Sequence, residues 1–188
     1  MIMKLTAKRV NHRLPEYRQV KSMMEEAFPR SERFAMWQLH LLAFWNRKID
    51  FLAFYDDSTL VGVSYTVYTD KMAIPLYLAV DRKQRSHGYG ATILDDLKER
   101  YHGIPLTVES EIAQPDAENF HQRQRRIDFY KRNGFSETGW YLTDDSGKYT
   151  LMSTADVFVG ADYQDALFSF MHGLYRVRIS NEKEMSHS

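Results

Sequence analysis

Between Val80 and Gly90 the chain reads Val-Asp-Arg-Lys-Gln-Arg-Ser-His-Gly-Tyr-Gly, with three cations and two glycines. The glycines at 88 and 90 let the backbone approach a ligand with no β-carbon in the way. The amides that open a helix have no internal partner, and the helix dipole favours negative charge there. Together with Arg82, Lys83 and Arg85 they suit a phosphorylated anion. A second concentration is Glu109 and Glu111, two apart in a strand-like run and so on one face of it. Two like charges at that distance raise one carboxyl toward the range in which it works as a base near neutral pH. There are no cysteines, which excludes a thiol nucleophile, thiolate metal sites and disulfides together. The seven histidines show no pairing at metal-ligand spacing, so no metal is expected.

These groups need elements to hold them. The apolar run at 74–80 reads as a buried strand ahead of the loop, and Ala91, Leu94, Leu97 and Tyr101 recur at helical spacing after it. The order is therefore strand, basic glycine-bearing loop, helix. A nucleoside-triphosphate loop would need a lysine after its last glycine, but Gly90 is followed by Ala91-Thr92. A dinucleotide fingerprint needs a third small residue where Ile93 stands, although the run at 106–111 imitates its acidic strand end.

Upstream, 4–10 reads as a strand, and a helix begins after Pro15 with Tyr17, Val20, Met23, Met24 and Ala27 on one face, ending at Phe28-Pro29. A second helix is expected over 32–45, with Phe34, Trp37, Leu41, Phe44 and Trp45 as a mainly core-facing stripe. Runs at 51–55 and 60–68 flank the turn Asp56-Asp57-Ser58 as a hairpin. After the helix at 88–101 come a strand at 105–111, a helix at 117–132 and a hairpin of 135–142 with 148–153. A last helix over 163–174 carries Ala166, Leu167, Phe170 and Met171 on one face, followed by a polar tail from Asn181. This order suits an α/β (α+β) sandwich around one mixed sheet.

The 188 residues are enough for one ordinary domain with a real core, and 44 % hydrophobic with 27 % charged is a globular composition. Twenty-five cations balance 25 anions, so no global field favours nucleic acid or an acidic membrane. No run approaches the ~20 apolar residues of a membrane span, and the start lacks a signal-peptide core. A cytoplasmic protein is expected.

Arg85-x-x-Gly88-x-Gly90, with Val80 five residues ahead of the arginine, resembles the pyrophosphate loop of the GNAT N-acetyltransferases. Further on, Phe129-Tyr130-x-x-x-Gly134-Phe135 resembles that family's later helix-to-strand signature, at the expected distance with one strand between. The resemblance covers residues 1–155, and Phe28-Pro29-x-x-Glu32-Arg33 looks like some bacterial members. Two positions depart from the pattern: Arg123 stands where asparagine is common, and Arg126 where a small residue is.

The resemblance implies a GNAT-like, largely antiparallel mixed sheet flanked by helices, with a splayed strand pair that holds acetyl-coenzyme A. It assigns residues 1–155 to the acetyltransferase domain and 156–188 to a helical extension packed on it. Leu78, Ala79 and Val80 would meet the pantetheine arm through their backbone, and Arg85, Ser86, His87, Gly88, Tyr89 and Gly90 the pyrophosphate. An amide near Val80 would polarise the thioester carbonyl. Tyr130 takes the place beside the sulfur, where a phenol protonated at neutral pH serves as general acid. Glu109 and Glu111 are then the candidates for deprotonating the amine, and their acidic strand end favours a cationic acceptor. Arg123, Arg125 and Arg126 either meet the coenzyme's 3′-phosphate or form a solvated face, and Phe28, Arg33 and Trp37 help wall the acceptor side. The expected activity is direct acetyl transfer to a primary amine, small molecule or peptide. A catalytically silent acyl-coenzyme A binding module is the alternative, and a homodimer is left open.

Overall fold

The structure, a computed structural model, describes residues 4–30, 33–117, 119–144, 147–171 and 178–181. Contacts along the chain divide it into two compact units, Met1–Thr69 with Pro75–His102, and Asp70–Ile74 with Gly103–Ser188.

The first unit contains strand β1 (Thr6–Arg9), helices α1 (Tyr17–Ala27) and α2 (Met36–Trp45), and strands β2 (Ile49–Asp56) and β3 (Thr59–Tyr68). Most of β4 (Ala73–Val80) and helix α3 (Tyr89–Arg100) complete it. The strands lie in the order β1-β2-β3-β4, and β2 pairs antiparallel with both β1 and β3. Phe51, Leu52, Ala53, Phe54 and Tyr55 are all buried, so both faces of β2 are covered. That is why this strand reads as an unbroken apolar run rather than an alternating one. Helices α1 and α3 pack on β3, and α2 packs on β2. The helix–sheet approach is tightest at Gly62 on β3. A β-carbon there would stand 2.5 Å from Cδ1 of Ile93 on α3 and 2.8 Å from the carbonyl oxygen of Ala79 on β4. Buried Asp50 accepts hydrogen bonds from Arg9 (2.8 Å) and from the Tyr101 hydroxyl (2.9 Å), tying β1 and the end of α3 to β2.

The second unit holds β5 (Thr107–Glu111), α4 (Phe120–Arg132), β6 (Ser136–Asp144), β7 (Gly147–Ser153), α5 (Gly160–Met171) and β8 (Arg178–Asn181). Its sheet has the order β5-β7-β6-β8 and is antiparallel throughout. Ala73, at the start of β4, forms a parallel bridge with Leu106, and its N–H donates to the Pro105 carbonyl at 2.9 Å. Helix α4 packs on β5, and α5 buries Tyr163, Ala166, Leu167 and Phe170. The fold is thus mixed α and β, with antiparallel sheets flanked by helices, and the expected elements occur in the expected order.

Three expectations change. The second helix starts at Met36, and Glu32 lies outside the described residues. Its stripe of large side chains faces outward: Trp37, Leu41, Phe44 and Trp45 are 64, 48, 79 and 74 % exposed, while Met36 and Leu39 are buried instead. The helix is apolar on nearly every side, so spacing alone does not say which face is the inner one. The other change is β8, a four-residue strand that pairs Trp140 with Asn181 and Leu142 with Ile179. Asn181 is therefore part of a sheet, and the rest of the expected tail, like residues 172–174 and the Met171 side chain, lies outside the described residues.

Candidate active site

In the first unit, Gly88 is the N-cap of α3 and takes φ 86° and ψ −5°, a left-handed conformation that favours glycine. Ser86 is left-handed as well, at φ 67°, which residues with a side chain seldom adopt. Such left-handed residues next to a helix entrance gather successive amides into an anion-binding concavity. The main-chain N–H groups of residues 85–90 meet no acceptor among the described residues, and the ladder of α3 starts only with Ala91 and Thr92, which donate to the Gly88 carbonyl at 3.0 and 3.2 Å. Arg82, Lys83, Arg85, Ser86, His87 and Gly88 are exposed.

The loop is fixed from both sides. The Asp81 carboxylate accepts from the Lys83 amide at 2.8 Å and from Gln19 at 2.9 Å, and the Asp81 N–H donates to the Val61 carbonyl at 2.9 Å. On the helix side, the Tyr89 hydroxyl donates to Asp56 at 2.6 Å. Asp81 and Tyr89 thus hold the two ends of the loop, and the amides between are left over.

On β4, Tyr77 and Ala79 are buried, while Leu78 and Val80 are partly exposed on the other face. The Tyr77 hydroxyl accepts the Phe34 N–H at 3.2 Å, and its ring meets Phe28 edge-on at 4.9 Å. Of the residues expected on the acceptor side, Phe28 therefore packs on β4. Arg33 faces Glu25 at 3.5 Å, and Trp37 extends outward.

In the second unit, Glu109 and Glu111 have different environments despite their shared strand. The Tyr163 hydroxyl on α5 donates to Oε1 of Glu109. Burial pushes the Glu109 carboxyl above the usual carboxylate range, the Tyr163 hydrogen bond opposes this, and the negative charge of Asp144 adds to it. Glu111 is instead clamped by two guanidiniums, Arg123 at 3.0 Å and Arg126 at 3.2 Å. Arg123 also donates to the Ile112 carbonyl at 3.1 Å. The like charge acting on Glu109 is therefore Asp144 and not Glu111, and burial outweighs both, contrary to the strand-spacing argument. The strand end is also no longer acidic once the two arginines are counted, which removes the case for a cationic acceptor. Arg125 is exposed.

Tyr130 lies on the buried face of α4, its ring 5.4 Å from Phe129 and 5.5 Å from Phe135. The Phe135 N–H donates to the Tyr130 carbonyl at 3.1 Å, so the Phe129-Tyr130…Phe135 pattern is a helix end closing on its own aromatic side chains. Burial raises the phenol above its ordinary value, Arg126 opposes the shift, and Glu109 adds to it. The phenol is thus protonated at neutral pH, and Glu109 is near enough for its charge to be felt there. Among the described residues no group of three or more histidines and carboxylates could hold a metal ion.

Sequence reasoning passed over Tyr163 and Tyr77. Tyr77 lies in an apolar run and Tyr163 on the apolar face of a helix, where a hydroxyl has to find a partner once buried, and that requirement was the available signal.

Residues 47–137 match the family model described as the acetyltransferase (GNAT) domain. No curated protein sequence matches the chain with significance. Among solved structures, a GNAT-family protein from Bacteroides thetaiotaomicron is 23 % identical with a TM-score of 0.69, over 90 % of this chain and 99 % of that one. An aminoglycoside 6'-N-acetyltransferase complexed with coenzyme A is 15 % identical with a TM-score of 0.59, over 79 and 95 %. A GNAT-family acetyltransferase from Elizabethkingia anophelis with acetyl-CoA bound is 10 % identical with a TM-score of 0.53, over 79 and 96 %. At these identities the likeness establishes the fold.

Proposed function

We propose that this chain, which carries a GNAT acetyltransferase domain over residues 47–137, moves an acetyl group from acetyl-coenzyme A directly to a primary amine. The observation that carries the reading is the run of amides at 85–90 without acceptors among the described residues, which contains the left-handed residues Ser86 and Gly88 and is accompanied by exposed cations. A diphosphate needs many N–H donors at close range and neutralising charge around them, and both are present. The main chain at Leu78 and Val80 would take the pantetheine amides in the manner of an added strand.

Acetyl-coenzyme A supplies an activated thioester carbonyl. The protein has to orient an amine against it, take a proton from that amine and return one to the departing sulfur. Glu109 suits the first proton transfer, directly or through water, because burial has raised its affinity for a proton toward that of a working base. Tyr130 suits the second, since its phenol keeps its proton at neutral pH and is buried. In this scheme the new C–N bond forms as the C–S bond breaks, the amine proton passes to Glu109, and the Tyr130 proton passes to the sulfur. Glu111, held by Arg123 and Arg126, orders the end of β5 and the start of α4. Positioning supplies much of the acceleration in such a reaction.

The experiment is thiol release from acetyl-coenzyme A across a panel of amines: aminoglycosides, polyamines, lysine peptides and peptide N-termini. Turnover with at least one amine is expected, and Tyr130→Phe should lower kcat by about 10²-fold. If Tyr130→Phe leaves kcat unchanged, the acid role is wrong. Tight acetyl-coenzyme A binding with no turnover on any amine would turn the reading into a silent binding module. If no coenzyme A ester raises the melting temperature, both fall.

A further inference from the structure

The residues matched by the family model end at 137, yet Glu109 takes its hydrogen bond from beyond them, from Tyr163 on α5. Tyr163 is fully buried, on the same side of the helix as Ala166, Leu167 and Phe170, so packing fixes both its ring and the direction of its hydroxyl. Resting on the functional reading above, we infer that Tyr163 is a positioning residue, which holds the Glu109 carboxylate in one rotamer and sets the pH at which it can accept a proton from the amine.

Glu109 sits on β5 opposite Leu151 of β7, a neighbour with no polar side chain to hold a carboxylate. Among the described residues, the charged and titratable groups bearing on it are Tyr163 from α5, Asp144 from β6 and Tyr130 from α4. On its own strand, Glu111 is occupied by Arg123 and Arg126. Asp144 repels negative charge at Glu109, and among the described residues Tyr130 makes no hydrogen bond to Glu109. Among the described residues, Tyr163 is the one partner of Glu109 that favours the anion. A base in this position needs such a counterweight: with burial and Asp144 acting alone, Glu109 would keep its proton to higher pH and enter fewer turnovers at neutrality. The phenol hydrogen bond restores part of the anionic fraction, and it occupies Oε1, which leaves Oε2 to face the amine or an intervening water.

Tyr163→Phe removes the hydroxyl and keeps the ring, so the core of the unit stays filled. The readout is the pH profile of kcat/KM with a responsive amine, together with the titration of Glu109 itself, followed by carbon-13 NMR of side-chain-labelled glutamate and assigned through Glu109→Gln. The acid limb is expected to move up by about one pH unit in Tyr163→Phe, so that activity below the limb drops about tenfold while the plateau and the acetyl-coenzyme A affinity hold. The NMR titration of Glu109 should move by the same amount. A uniform loss at every pH, or an unmoved Glu109 titration, overturns the inference. Absence of turnover in the unsubstituted protein overturns the functional reading instead, and the NMR titration still shows whether Tyr163 controls Glu109.

Discussion

Gly62→Ala is expected to weaken both the fold and the donor side of the site. The new methyl would meet Cδ1 of Ile93 at 2.5 Å and the Ala79 carbonyl oxygen at 2.8 Å, both inside van der Waals contact. The first neighbour is the tip of a side chain and can turn aside. The second is the backbone of β4, between Leu78 and Val80, and can move only with the strand. Overpacking of this kind costs about 1–3 kcal/mol. Alanine recovers about 0.4–1 kcal/mol by restricting the unfolded chain. The net loss is about 1–2 kcal/mol, and at ~2–4 °C per kcal/mol for a chain of this length the melting temperature should fall by ~2–8 °C. Ile93→Val alone deletes the tip and costs about 0.5–1.5 kcal/mol. In the double variant it also relieves one of the two clashes, so the two losses should add to less than their sum by about 0.5–1 kcal/mol. Urea unfolding of the four proteins measures this cycle, and calorimetry with acetyl-coenzyme A should show weaker binding wherever β4 is displaced. Strict additivity, or a Gly62→Ala protein as stable as the parent, would refute the packing argument.

Other outcomes follow from the same geometry. Arg123→Met removes a partly buried ion pair and the bond to the Ile112 carbonyl, but Arg126 stays on Glu111, so the urea midpoint should report a loss of about 1–2 kcal/mol. His40 has its pKa lowered by burial and then by His12, whose ring is 4.3 Å away, while Tyr17 lies 3.1 Å from its Nε2. The unfolded chain therefore takes up this proton first as pH falls through the ordinary histidine value of about 6.5. The contribution of His40 to stability is present above that value and lost below it, so the melting temperature should drop on acidification and drop less in His40→Gln. Trp45→Ser, at an exposed position, should change stability by no more than about 0.5 kcal/mol in the same urea assay.

The local signals in the sequence proved reliable where the chain itself determines the outcome. The strand-loop-helix order around Gly88 and the hairpin at Asp57 depend on backbone preferences that residue types report directly. What could not be read depends on distant partners. The spacing of Trp37, Leu41, Phe44 and Trp45 identifies a face of α2, but only the packing on β2 decides that the face with Met36 and Leu39 is the inner one. Arg178–Asn181 is too short and too polar to announce a strand, and exists because β6 offers an edge. At the candidate site, the two-residue spacing of Glu109 and Glu111 places both on β5, yet their chemistry is set by residues from α4, α5 and β6. Arg123 and Arg126 looked like unexplained departures from a family pattern because their common partner, Glu111, is 12 and 15 residues away.

The Glu111 clamp also constrains how this sequence can change. The three side chains form one unit, so replacing Glu111 alone would leave two partly buried guanidiniums facing each other, a costlier state than either the full triad or none of it. Losing one arginine first leaves the carboxylate still paired. A change of Arg123 to asparagine is therefore open as a single step only while Arg126 remains, and Glu111 cannot be the first of the three to go. Substitutions at these positions carry an order, and libraries that randomise them one at a time will miss combinations that are stable together.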